Sequence, residues 1–147
     1  MNDWLIIGIG NRLRRDDAVG PRVVDRLEKR GLQCQEHSGE GAGLISAWEA
    51  YPRVLLIDAT RSDAKPGTIH QINAIEQTVP TDLFHYSSHQ FGVAEAIEMA
   101  RTLKRLPDQL WLVGIEGENF GYGEELTPQV NNVLDQAEQI ILARIRA

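Results

Sequence analysis

The chain has 147 residues, enough for one domain to bury a sizeable core without disulfide or zinc staples. Hydrophobic residues make up 42% and charged residues 24%, a folded globular balance, and the net charge of -6 opposes a nucleic-acid partner, which needs clustered Lys and Arg to release counterions. The single cysteine, Cys34, excludes an intramolecular disulfide and a Cys-rich metal site, and the start MNDWLIIGIGN is too polar and too short in its apolar run for a signal peptide or membrane span. A cytoplasmic, membrane-free protein is the expectation, and a monomer too, because no apolar stripe marks an interface.

Along the chain, WLIIGI (Trp4 to Ile9) is an apolar run stopped by Gly10 and Asn11, as in a strand buried on both faces. PRVVDRLEKRG follows as a helix, with Pro21 early, Val23, Val24 and Leu27 on one stripe and Gly31 at its C-terminal end. LQCQEH is a weak strand, AGLISAWEAY a short helix, and RVLLIDA a third strand reaching Asp58. GTIHQI alternates like an edge or antiparallel strand. QFGVAEAIEMARTL has helical spacing, QLWLVGI is another buried strand, and Thr127 and Pro128 open one long final helix. No repeat, low-complexity tract or linker divides the chain, so residues 1–147 form one domain of α/β class: a mainly parallel twisted sheet with helices on both faces.

Ligands of such sheets bind beyond the carboxyl ends of the strands. GIGNRLRRDDAVG places Asp16 and Asp17 just after the first strand, and Asp58 lies at the end of the third. Each acid also fits a local role: Asp16 and Asp17 as helix caps, Asp58 as a turn cap or a partner for Arg61. HYSSHQFG adds His89, itself suited to capping the helix that follows. Two carboxylates and an imidazole nevertheless make an O,O,N set suited to a divalent transition ion with positions left open for substrate.

Four ordered motifs, GIGNRLRRDDAVG, LLIDATRSDAKPG, SSHQFGVAEAI and LVGIEGENFGYGEELTPQV, give the whole chain a resemblance to the [NiFe]-hydrogenase maturation endopeptidases. The resemblance implies removal of a C-terminal extension from the hydrogenase large-subunit precursor after nickel insertion. It also implies Asp17, Asp58 and His89 as the metal-contacting and catalytic triad. Nickel would arrive with the substrate, another divalent ion being able to stand in its place, and would polarise the scissile carbonyl or activate water, with a carboxylate as base. Asp16 would hold the turn and helix start, with Asn11 and His85 as further turn or supporting residues.

The chain departs from the family pattern at Ala18, where glycine is frequent, and in HSGEGAG, where Ser38 replaces an acid and Glu40 a glycine. Glu40, Glu116, Glu118 and Phe120 are the candidate substrate-facing loop residues.

Other readings stand beside this one. A dinucleotide fingerprint fails at Leu13, where its last glycine is required. A non-catalytic metal-binding assembly chaperone could use the same triad. Cys34 sits in a weak strand and reads as a small half-buried residue, while Ser87 and Ser88 read as caps. His37 and His70 have no ligand-like context.

Overall fold

The structure, a computed structural model, describes residues 3–84 and 91–147. Among the described residues five strands form one sheet: β1 (Trp4–Ile9), β2 (Cys34–His37), β3 (Arg53–Thr60), β4 (Ile69–Asn73) and β5 (Gln109–Glu116). Their order across the sheet is β2-β1-β3-β5-β4, parallel except for β4, which runs antiparallel along β5 at one edge. The helices are α1 (Val19–Glu28), α2 (Gly41–Trp48), α3 (Val93–Thr102), α4 (Pro128–Asn131) and α5 (Leu134–Arg146). The expected α/β class and mainly parallel sheet are what the chain adopts.

Alternation along the strands divides the core into two layers. Trp4, Ile6, Leu55, Ile57, Val113 and Ile115 meet Val19, Val23 and Leu27 of α1 and Ala137, Ile141 and Ile145 of α5. Leu5, Ile7, Val54, Leu56 and Leu112 face Leu44 and Trp48 of α2 and Ala94, Ile97 and Ala100 of α3. Burial on both faces is why β1 and β3 read as continuous apolar runs.

Two details differ from the sequence expectation. β3 does not stop at Asp58 but continues to Thr60, because its pairing with β5 runs on through Thr60 opposite Glu116. The single final helix is two. α4 ends at Asn131, and the Val133 N–H bonds back only three residues to Val130, a tight turn just after two asparagines, a residue type with weak helix propensity. Gly31, at φ +82°, closes the end of α1, where the Leu32 N–H reaches the Leu27 carbonyl.

The chain leaves β1 towards β2 on one side and later lays β3 on the other, so the direction of winding reverses between β1 and β3. That reversal opens a crevice at their carboxyl ends. The start of α1 lies so close above it that a Cβ on Gly20 would come within 2.5 Å of the Ile9 carbonyl oxygen and 2.6 Å of that of Ile57. Gly20→Ala must push α1 off both strands. We expect it to cost about 1–3 kcal/mol, read as a fall of several degrees in a thermal unfolding curve.

Candidate active site

The crevice is a cleft of about 590 Å³. Its walls come from the loop after β1 (Gly10, Asn11, Arg12, Arg14, Asp17), the end of β2 (Glu36, His37, Ser38, Gly39) and the end of β3 (Asp58, Ala59), with Phe84, Val93 and Phe120 completing them.

The loop after β1 is built from its own sequence. Gly10 has φ +150°, and a Cβ there would lie 1.8 Å from the Asp17 carbonyl oxygen, so only glycine lets the chain fold back over the 3-10 turn Arg15–Ala18. The Asn11 side-chain oxygen accepts from the Leu13 N–H at 2.9 Å, the Asx turn its residue type favours. The Asn11 N–H donates to Asp17 Oδ2 at 2.9 Å and so orients that carboxylate. Arg12 ties the loop down from outside: its guanidinium grips both oxygens of Asp25 on α1, at 2.8 and 2.9 Å, and reaches Glu36 on β2. These two acids hold the Arg12 pKa above its ordinary value.

Asp17 and Asp58 therefore share one cleft, coming from two different strand ends. Asp58 is 8% exposed, and burial lifts its carboxyl well above the usual range, with the nearby Asp17 charge pushing the same way and the Ala59 N–H opposing. Burial also raises Asp17, against the lowering effect of the Asn11 N–H and the Arg14 charge. Two carboxylates that resist ionising together in a half-closed cleft form a site that a cation would relieve.

Asp16 has a different place. It is wholly buried, and its carboxylate accepts four hydrogen bonds, from the Glu118, Asn119 and Thr127 N–H groups and the Thr127 hydroxyl, at 2.8 to 3.1 Å. The expectation that Asp16 holds the turn and helix start is corrected. Neither the 3-10 turn nor α1 has a side-chain cap, and Asp16 instead fastens the loop between β5 and α4. For the same reason the Thr127 hydroxyl does not cap α4 but donates to Asp16.

The expected substrate-facing residues divide. Phe120 is buried and lines the cleft. Glu116 does not face it: the residue is 1% exposed, at the end of β5, and its carboxylate accepts from the Thr60 and Ser62 hydroxyls and the Ser62 N–H and meets His70 Nε2 at 3.2 Å. Burial alone would raise its pKa, but these bonds together hold it below the usual value. Glu40 caps α2, accepting from the Ala42 and Gly43 N–H groups at 2.9 and 2.8 Å, and lies outside the cleft lining. Glu118 is exposed and outside the lining as well, contributing its N–H to Asp16.

His37 was not expected in the cleft and is in it, its Nδ1 accepting from the Gly39 N–H at 2.9 Å. The signal was its place at the carboxyl end of a parallel strand, obscured because LQCQEH is so weakly patterned. His85, Ser87, Ser88 and His89 lie outside the described residues, and among the described residues no three His, Cys, Asp or Glu side chains form a metal-holding group. Phe84 and Val93, which flank that stretch, both line the cleft.

A family model described as hydrogenase maturation protease matches residues 21–144. The chain belongs to this hydrogenase maturation protease family. It is 30% identical, over 97% of its length and 90% of the relative's, to the hydrogenase 2 maturation protease of Escherichia coli strain K12. Its fold superposes on the hydrogenase maturating endopeptidase HybD from E. coli with a TM-score of 0.79 at 26% identity, covering 97% of this chain and 91% of the other. The solution structure of an endopeptidase from E. coli gives 0.83 at 28% identity with the same coverage.

This maturation protease is thus a peptidase, and the dinucleotide reading gives way to it. Cys34 does not line the cleft, and burial, helped by the Glu28 charge, pushes its thiol up to about 12, so at neutral pH it holds no reactive thiolate. Among the described residues no helix is long and apolar enough to cross a membrane.

Proposed function

We propose that this protease removes a C-terminal extension from a [NiFe]-hydrogenase large-subunit precursor once nickel has been inserted, and that it recognises the nickel the precursor carries. The observation that carries this reading is the pair Asp17 and Asp58, drawn from two strand ends into one cleft with the pKa values of both raised by burial. Their oxygens, with His89 as the third ligand, complete the coordination of an ion already held by the precursor's thiolates, and so dock the scissile segment in the cleft. Nickel is there a Lewis acid for the scissile carbonyl or for water. A carboxylate of the pair takes the proton of the attacking water, the water oxygen bonds to the carbonyl carbon, the C–N bond breaks, and the proton passes to the leaving amine.

The same chemistry makes the cleft a checkpoint. Without the ion, the Asn11 and Ala59 N–H groups and the Arg14 charge offset only part of the cost of burying the two acids, and the precursor lacks the feature that brings its bond to them.

Mass spectrometry of nickel-loaded and nickel-free precursor, each incubated with this protein, tests the reading. Loss of a C-terminal peptide from the loaded precursor alone is the expected result. Equal cleavage of both forms overturns the nickel gate, and binding of the loaded form without cleavage replaces the protease by an assembly chaperone.

A further inference from the structure

Five large apolar side chains are exposed among the described residues, and two of them, Leu13 (59%) and Tyr122 (82%), belong to loops joined at the mouth of the cleft. The loops after β1 and β5 are joined there like a short strand pair. The Gly123 N–H donates to the Leu13 carbonyl and the Arg15 N–H to the Gly123 carbonyl, both at 2.9 Å, and Arg14 bridges Gly123. From beneath, the Asp16 carboxylate grips the Glu118 and Asn119 N–H groups. The Arg14 guanidinium lies 4.5 Å from the centre of the Tyr122 ring and donates to its hydroxyl at 3.2 Å. Arg14 also lines the cleft, so the ring continues the cleft wall outward.

An exposed Leu or Tyr on a loose loop carries no message. Here the backbone beneath both is locked by hydrogen bonds, and the ring is already stacked on a cation. The ordering cost that usually weakens a contact is therefore met before any partner arrives. Tyr and Arg are also the residue types that concentrate binding energy at interfaces.

We infer that the Leu13–Arg14–Tyr122 rim is a docking surface for the extended stretch of precursor chain that flanks the scissile bond, with an apolar side chain seated over Leu13 and the free face of the Tyr122 ring. The occupant follows from continuity. A chain whose scissile bond lies beside Asp17 and Asp58 must leave the cleft over its rim, and Arg14 belongs to both. The inference rests on the proposed protease reading. It divides the work: the cleft acids recognise the ion and perform hydrolysis, while the rim holds the polypeptide.

The test is the kinetics of precursor processing by the Leu13→Ser/Tyr122→Ser double variant, with Met99→Ser/Leu103→Ser as a matched control, since Met99 and Leu103 are 46% and 54% exposed on and just beyond α3. The double variant should raise KM about tenfold with kcat within about twofold, and its melting temperature should fall by no more than about 2–4 °C, the loss expected from the exposed Arg14–Tyr122 stack alone. The control should leave KM unchanged. An unchanged KM in the double variant overturns the rim, as does an equal rise in the control. If wild type sediments as a dimer and the double variant as a monomer at unchanged KM, the rim is a self-association surface instead. Failure of wild type to cleave at all overturns the protease reading itself, a result distinct from any of these.

Discussion

Asp58→Asn should abolish release of the C-terminal peptide and, in the metal-free protein, raise the melting temperature. Both effects have one cause. Asp58 is buried beside Asp17, and its carboxyl is held well above the ordinary value of 3.8 by lost hydration and by its neighbour's charge. Between that value and the raised folded one, the folded chain binds more protons at this site than the unfolded chain. Its contribution to stability is therefore full below the ordinary value and lost as pH rises through the folded pKa. Asparagine cannot ionise, keeps an oxygen for the Ala59 N–H, and escapes that loss at neutral pH. Each kcal/mol recovered is worth about 2–4 °C in a protein of this size.

Activity moves the other way. The neutral amide neither accepts a proton nor offers an anionic ligand, and a loss of at least about a hundredfold is the least expected from removing such a group. Asp17→Asn should abolish processing in the same assay. In wild type, processing should fall as pH drops through a limb lying above the ordinary carboxylate range, because both acids protonate early. Thermal melts and precursor cleavage measured on the same preparations check all of this. A destabilised Asp58→Asn with normal cleavage would mean that the buried acid is structural.

The neighbouring acid should behave in the opposite sense. Asp16→Ala removes the acceptor of four hydrogen bonds at a site with no exposure and leaves the donors of Glu118, Asn119 and Thr127 without it. Stranding such donors costs roughly 3–5 kcal/mol, a drop on the order of 10 °C or more in melting temperature. Because the freed loop carries Phe120 at the cleft and Tyr122 at its rim, processing should also weaken at temperatures where the variant remains folded. Asp16→Asn should fall between the two, since one amide oxygen survives while the NH2 faces donors. Circular dichroism melts paired with cleavage assays below the transition test this. The contrast between Asp58, stabilised by losing its charge, and Asp16, destabilised by losing its carboxylate, separates a working carboxylate from a structural one.

The reason two adjacent aspartates differ so much lies in the 3-10 turn. At about 120° per residue, it points consecutive side chains in different directions, so Asp17 faces the cleft and Asp16 faces the interior. Residue types and spacing reveal an acidic turn after a strand. The partners of Asp16, however, lie 102 to 111 positions away. Glu116 misleads for a related reason. It reads as the first polar residue of a loop, but β5 carries it under cover, and the Thr60, Ser62 and His70 side chains that receive it come from other elements. His37 was hidden by a strand too weakly patterned to show where it ends, whereas Asp58 stood out because RVLLI makes its strand unmistakable.

Local periodicity and short-range backbone preference govern a large part of this fold. That covers the buried parallel strands, α1 and its glycine end, the Gly10 and Asn11 turn, and the acids placed after strands that must share one edge of the sheet. Four ordered motifs also carried the family. The tertiary structure alone decided which of two acids enters the cleft, that Glu116 and Asp16 are clamps, that the last helix breaks at its asparagines, and that Leu13 meets the Tyr122 loop across the cleft mouth. Those outcomes depend on hydrogen bonds and desolvation between residues distant along the chain, and such energies exist only once the elements are packed.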